Sequence, residues 1–359
     1  MDYRLTLQFD CVIWEPSRRF VNKVDQLICC VQVMLVDLVQ HVPQFLEHLP
    51  PVALVQLLAS CVLLRERVHE HVTKISCAMD CHDVRVLTTV VWPHLTQLEL
   101  RCSKTLDFQS VSQLANATHL RLQSLNLSYS KIDSCLAAVL LAVPYPNLKS
   151  LYLAGNNLAT AMMYLADAHL PLLEELELRD NKLDAQSMVA LSRGSWLQLK
   201  TLTLAGNTIH SPGMQYLAGA HWPQLEAINL TNTGLSGSAM AMLLCGNWPC
   251  LQNLGLNGNY MYRMRNLPEF SQYSSLKHLH LNNSNLDHYS LQQLSKPRWC
   301  QLETIDLSNN MIDNLSGLIQ ASWLAMKGIR LDGNPLAAHA IAQLSQGDWP
   351  LLERLYLCR

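Results

Sequence analysis

From residue 95 onward the apolar positions return in one spacing, L-x-x-L-x-L-x-x-N-x-L. Its first position falls on Leu95, Leu122, Leu148, Leu173, Leu199, Leu225, Leu251, Leu276, Leu302, Met326 and Leu352. The period averages about 26 residues, and a period in that range marks a stacked array rather than a compact domain. The L-x-L step has period two, so both leucines share one face of a short strand. Asn156, Asn181, Asn207, Asn259, Asn310 and Asn334 hold the polar position, and Ser103, Ser130, Thr233 and Ser284 replace it elsewhere. A side chain of this kind can bond neighbouring backbone where the chain turns off the strand. The second half of each unit is helical in pattern. Leu140, Leu191, Leu217, Leu243, Leu294 and Leu344 occupy one position, and Met188, Met214, Met240, Leu291 and Ile341 lie three residues earlier, an i, i+3 apolar stripe. Each unit is then a strand and a short helix, and none can bury its core face alone.

This pattern resembles the leucine-rich-repeat family over residues 92–359, about three quarters of the chain. The resemblance implies an α/β solenoid, a right-handed horseshoe with a parallel sheet inside and short helices outside. It also implies that the asparagines stack as a ladder inside it. The expected organisation is a mainly helical N-terminal cap over residues 1–90 and repeats over 91–359, about eleven copies with the last incomplete.

Two further periodicities run through the array. Trp92, Trp196, Trp222, Trp248, Trp299, Trp323 and Trp349 each precede a repeat's first position by three residues, with Tyr145 and Tyr273 in the same place. An aromatic stripe can bind sugar or peptide, or it can stack and close the helix-to-strand turn; strict periodicity favours stacking. The residue after each first leucine reads Lys149, Glu174, Lys200, Glu226, Gln252, Lys277, Glu303, Lys327, Glu353. With strands about 4.8 Å apart, these side chains are expected to alternate in sign along one row of the concave sheet, removing like-charge repulsion.

Nothing before residue 90 fits the repeat. Tyr3 to Cys11 alternate like a strand, and from about Phe20 to Ile75 the pattern is helical, broken at Pro43 and Pro50-Pro51. Around residues 34–75, Leu49-Pro50-Pro51 and a following helix that ends in Ser60-Cys61-Val62 resemble the second half of an F-box. The first half departs from that pattern, because the usual Leu-Pro opening would fall on Asp37-Leu38. The resemblance implies a Skp-type adaptor contact through Leu46, Leu49, Pro50, Leu54, Leu57 and Val62. It further implies a substrate-recognition subunit of a cullin-RING ubiquitin ligase whose repeats hold the substrate. The other reading is a helical cap on a scaffold or regulator with no ubiquitin link, and the two are structurally compatible.

Composition changes the picture in three ways. Leucine fills 69 positions and charged residues only 15%, which excludes a disordered chain. A formal charge of -2 gives no reason to expect nucleic acid or a membrane surface. Residues 1–20 lack the apolar core of a signal peptide and Leu27 to Val39 is too short and polar to span a bilayer, so twelve cysteines point to reduced thiols in the cytosol or nucleus. Cys245 and Cys250 read as small buried apolar residues.

No nucleotide-binding or nucleophile motif appears, and no cofactor or catalytic role is expected. His69-Glu70-His71 lacks its second zinc ligand, since Thr73 stands there, and Cys77, Cys81 and His82 have no second ligand pair. His278 and His280 share the solvent face of one strand, with Asp306 expected beside His280; solvated histidines are the simpler reading than an acid-base or metal cluster.

A protein partner on the concave face is therefore the expected ligand. Its candidate contacts are Tyr129, Tyr152, Glu177, Arg179, His278, His280, Asp306, Arg330 and Tyr356, the tyrosines as anchors. On the convex side the repeat at Leu251 loses its helical stripe, meets Pro268, and gathers Tyr260, Tyr262, Arg263 and Arg265, either a contact surface or drift of one repeat. Leu355-Tyr356-Leu357 closes on a strand without a capping helix, which leaves a pairing edge.

Overall fold

The computed structural model describes residues 73–358 apart from residues 80, 89–91, 93, 103–105, 119 and 269–272. The F-box-like positions Leu46, Leu49, Pro50, Leu54, Leu57 and Val62 lie outside the described residues, as do His69, Glu70, His71 and Ser103, and the side chains of Cys77, Cys81 and His82.

The strands are β1 (Lys74–Met79), β2 (Gln97–Cys102), β3 (Ser124–Asn126), β4 (Ser150–Tyr152), β5 (Glu175–Glu177) and β6 (Thr201–Thr203). They continue as β7 (Ala227–Asn229), β8 (Asn253–Gly255), β9 (His278–His280), β10 (Thr304–Asp306), β11 (Gly328–Arg330) and β12 (Arg354–Tyr356). All pair in parallel and in sequence order, forming one open sheet of twelve strands among the described residues. Helices cross between them: α1 (Cys81–Thr88), α2 (Phe108–Thr118), α3 (Ser134–Leu141), α4 (Met162–Asp167), α5 (Ala185–Leu191), α6 (His210–Leu217), α7 (Gly237–Leu244), α8 (His288–Leu294), α9 (Ser316–Ile319) and α10 (Ala338–Gln343). The arrangement is a solenoid with the sheet on its inner side and the short helices outside, as the repeat pattern predicts.

The strands follow from the L-x-L step. The central residue is buried, as at Leu151, Leu176, Leu202 and Ile228, and its two neighbours stand half-exposed on the concave side. The asparagines then close each turn. Asn207 donates Nδ2 to the carbonyls of Leu178 and Leu204 at 3.0 and 2.8 Å, while its Oδ1 accepts the amides of Asn181 and Leu183 at 2.9 and 3.0 Å. Asn259 and Asn310 repeat this four-bond clasp. Where the asparagine is replaced, Ser130 and Ser284 each reach back to the preceding rung, to the Leu100 and Leu256 carbonyls. One rung departs: the Leu158 amide bonds the Asn181 backbone carbonyl, leaving Asn181 Oδ1 as a buried atom without a partner. The spacing from Leu148 to Leu173 is 25 residues there, one fewer than in each of the three repeats that follow.

The aromatic positions are core. Trp196, Trp222, Trp248 and Tyr273 stack in series at centroid separations of 6.1, 6.3 and 6.1 Å. All four are buried, which leaves no aromatic stripe for a ligand. Trp222 and Trp248 donate Nε1 to the carbonyls of Gly194 and Ala220 on the preceding rung. A small residue beneath each ring makes room, since a Cβ at Gly194 would lie 2.6 Å from the Trp196 ring.

Four expectations change. The sheet starts before the first sequence repeat: β1 and α1 fall in the segment read as a helical cap, yet β1 pairs with β2 in register, and Ile75, Val84 and Leu87 join the core. Ile341 is exposed rather than part of a buried stripe, because α10 has no following helix against it among the described residues. Cys245 is exposed and Cys250 half-exposed, because one caps the end of α7 and the other follows Pro249 in the next turn. The charge ladder runs one residue ahead of the strands, along the margin of the sheet rather than within its concave rows.

Part of that ladder is nevertheless paired. Glu174 meets Lys149 at 3.0 Å and Lys200 at 2.6 Å, and Lys327 meets Glu303 at 2.9 Å. The lysine hydrogen bonds hold the Glu174 carboxyl below its ordinary value of 4.5, and Lys327 does the same for Glu303. A carboxylate shifted down stabilises the fold fully above its unfolded pKa, and the contribution is lost as pH falls through the lower folded value. Pairs this exposed are screened by solvent, so each contributes little by itself. Glu174→Lys should therefore lower the urea midpoint more than Glu174→Gln does at pH 7. The gap between wild type and Glu174→Gln should close as the pH drops below 4.5; a gap independent of pH would show that the pairs contribute nothing.

Candidate functional site: the concave face

Two outward residues per strand build the concave surface, and all nine predicted contacts lie on it or on the turns at its margin. Tyr152 is on β4, Glu177 on β5, His278 and His280 on β9, Asp306 on β10, Arg330 on β11 and Tyr356 on β12, while Tyr129 and Arg179 follow β3 and β5. They form two groups. Four strand steps separate β5 from β9, about 19 Å at about 4.8 Å each.

In the first group Tyr152 donates its hydroxyl to Glu175 on the next strand. Burial, reinforced by that carboxylate, pushes the phenol up to about 12, so it stays a neutral donor. Burial also raises the Glu177 carboxyl, while the Arg179 amide, donating to Glu177 Oε1 at 3.0 Å, works against the rise. Tyr129 is exposed and held at φ 58°, in the left-handed region that a bulky residue rarely occupies. The fold requires that conformation. Asp180, Asn232, Asn283 and Asn309 take it at the same place in their repeats, alternating with Gly155 and Gly206. The amide there donates to the next rung, Tyr129 to Ala154 at 2.7 Å and Asp180 to Ala205 at 3.0 Å. Tyr129 then lays its ring over Gly155, the one residue type that leaves space for it.

In the second group β9 and β10 place His280 beside Asp306, as expected. No hydrogen-bonded relay results. Asp306 Oδ1 accepts from the Ser308 amide and hydroxyl at 3.0 and 2.5 Å, and His278 Nδ1 pairs with Thr304 Oγ1 at 2.8 Å. Burial lowers the His280 pKa, with Asp306 opposing, so the ring is neutral at pH 7. Arg330 contacts Asp332 at 3.4 Å and lies 5.3 Å from the centre of the Tyr356 ring. Among the described residues no three His, Cys, Asp or Glu side chains converge to hold a metal ion.

Between the groups lies a notch absent from the predicted contacts. Gly255 removes the outward side chain of β8, and with Ala227 it floors a groove of about 280 Å³ walled by Thr201, Thr203, Asn229, Asn253, Asn257 and His280. The signal was a glycine in the centre of an L-x-L step, where a missing side chain marks close approach by another group.

The sequence profile described as Leucine Rich repeat matches residues 169–192 and 199–218. The repeats are leucine-rich repeats. Outside those two segments the same strand register and clasp continue along the leucine-rich-repeat array. Among solved structures the chain is similar to a leucine-rich-repeat protein of Leptospira interrogans, at 20% identity and TM-score 0.48, over 80% of this chain and 78% of that one. It is similar to the yeast complex of Rad7 and Elc1 at 18% identity and TM-score 0.46, over 96% and 87%. For a complex of TLR13 with ssRNA13 the values are 19% and 0.40, over 74% of this chain and 43% of that chain. No curated protein matches the chain in sequence.

On this leucine-rich-repeat surface the second group predicts the response to one substitution. Asp306 supplies the charge that offsets burial at His280. In Asp306→Asn the His280 ring should therefore titrate at still lower pH than in wild type, measured by histidine NMR. An unchanged titration would show that Asp306 does not act on the ring.

Proposed function

We propose that the chain is a non-enzymatic receptor for a protein partner, held on the concave leucine-rich-repeat face. The observation that carries this reading is the contrast between the face and its support. Beneath the surface the strands keep one register and the Asn207, Asn259 and Asn310 turns repeat the same bonds. Above it the central outward residue changes from Tyr152 to Glu177, Thr203, Asn229, Gly255, His280, Asp306 and Arg330. A rigid support bearing a varied, mixed-charge surface with a central notch suits a folded or looped polypeptide, with tyrosines at its margin as anchors. The mixture of acidic and basic side chains opposes a continuous phosphate track. The contacts are Tyr129, Tyr152, Glu177 and Arg179 on one side and His278, His280, Asp306, Arg330 and Tyr356 on the other, with the Gly255 notch receiving a protruding polar group.

The finer reading is a substrate-recognition subunit of a cullin-RING ubiquitin ligase. Its support is the F-box-like segment, whose Leu46, Leu49, Pro50, Leu54, Leu57 and Val62 would meet a Skp-type adaptor. The compartment would be the cytosol or nucleus, in keeping with free thiols at Cys135, Cys245, Cys250, Cys300 and Cys358. Among the described residues no helix is long and apolar enough to cross a membrane.

One co-purification experiment tests both levels. The full chain should retain a purified Skp-type adaptor, and Leu54→Asp with Leu57→Asp should lose it; no retention by wild type would leave a receptor or scaffold without the ligase link. In the same cells Gly255→Arg, which fills the notch while sparing the core, should lose a concave-face partner and keep the adaptor. An unchanged set of partners for Gly255→Arg would contradict the concave site.

A further inference from the structure

The convex side of the array is interrupted once in a way the concave reading does not use. Among the described residues no helix stands between β8 and β9; residues 260–268 run there as an irregular, pinned segment that turns at Tyr262 and Arg263. Met261, Met264 and Leu267 are buried and fasten it to the core. The Tyr260 amide bonds the Leu235 carbonyl at 2.8 Å, and the Met264 amide bonds Ser290 Oγ, which in turn donates to the Met261 carbonyl. The residues between these anchors are forced outward. Arg263 and Asn266 take φ of 48° and 56°, and Tyr262, Arg263 and Arg265 are exposed.

The protruding side chains form one wall of a cleft of about 340 Å³, and Tyr289 and Gln293 on α8 form the other. The Arg263 guanidinium lies 5.2 Å from the centre of the Tyr262 ring, a contact that orients it without neutralising it. None of the ion pairs formed among the described residues involves Arg263 or Arg265. Here two guanidinium forks share a cleft with a phenol and an amide. Guanidinium groups match carboxylate and phosphate oxygens with two parallel donors, and a tyrosine or glutamine can add a third.

We propose that this convex cleft binds an oxyanion carried on a peptide segment of a partner protein, either the carboxylate of an acidic stretch or a phosphorylated side chain. Arg263 and Arg265 supply the charge, and Tyr289 and Gln293 close the opposite wall. The site is separate from the concave face, so the chain engages a partner from both sides or two partners at once.

The test uses the full chain and three fluorescent probes at low salt: hexaglutamate, a phosphoserine-bearing hexapeptide of otherwise neutral residues, and hexaglutamine. Anisotropy should show binding of hexaglutamate or the phosphopeptide, at least tenfold weaker for Arg263→Gln with Arg265→Gln, and unchanged for Arg193→Gln at an exposed arginine outside the cleft. The tighter of the two anionic probes identifies the oxyanion. Both arginines are exposed, so the double variant should keep the wild-type unfolding midpoint, and Arg263→Lys with Arg265→Lys should retain part of the binding. Failure of both anionic probes, equal binding of hexaglutamine, or full binding by the glutamine double variant would overturn the proposal.

Discussion

The structure depends on the clasps that buried asparagine amides make at the turns after strands such as β6, β8 and β10. A short strand in a stacked array has too few backbone partners of its own to satisfy the chain as it leaves the sheet. A buried donor or acceptor left unpaired costs about 1–3 kcal/mol, so repeated turns without a clasp would offset much of what the leucine core contributes. Asparagine answers this because one amide offers two donors and an accepting oxygen, and at Asn207 these engage two carbonyls and two amides on successive rungs. Serine and threonine offer less and bond fewer groups, and Thr233 and Ser284 stand on rungs whose neighbours carry the full clasp.

Once the turns are clasped, the other regularities follow. Each rung lies in register on the last, so tryptophans meet ring to ring and lysines meet glutamates. The left-handed residue after each strand can hand its amide to the next rung. That uniformity leaves the outward positions free of structural duty. They can differ from strand to strand without disturbing the core, which is the physical basis for reading the concave face as a recognition surface. The convex face is more constrained, because its helices must pack on one another. The segment at residues 260–268 escapes that constraint, and its arginines and tyrosines stand clear of the array.

Much of this was legible in the residues. The strands, the asparagine clasp, the aromatic stack and the alternating charges all follow from a period that returns every rung, so each position is reported many times over. What was not legible is what occurs once or depends on three-dimensional neighbours. Strand β1 lacks the leucine spacing and is recognisable only through its pairing with β2. The bond from Tyr152 to Glu175 joins residues on adjacent strands, and no spacing rule names it. Likewise the adjacency of His280 and Asp306 could be read from the repeat, but the capture of Asp306 by Ser308 could not. Gly255 was visible as a residue, yet its meaning as a notch required the side chains of the flanking strands.

Native-state hydrogen exchange at the amides of Asn181 and Leu183 tests the central claim most directly, because both donate to the Asn207 side chain. In Asn207→Ala these two amides should exchange about a hundredfold faster, equivalent to about 3 kcal/mol. The Leu286 amide, clasped by Asn310, should be far less affected. Unchanged exchange at Asn181 and Leu183 would contradict the account, since the array would then be held by its leucines alone.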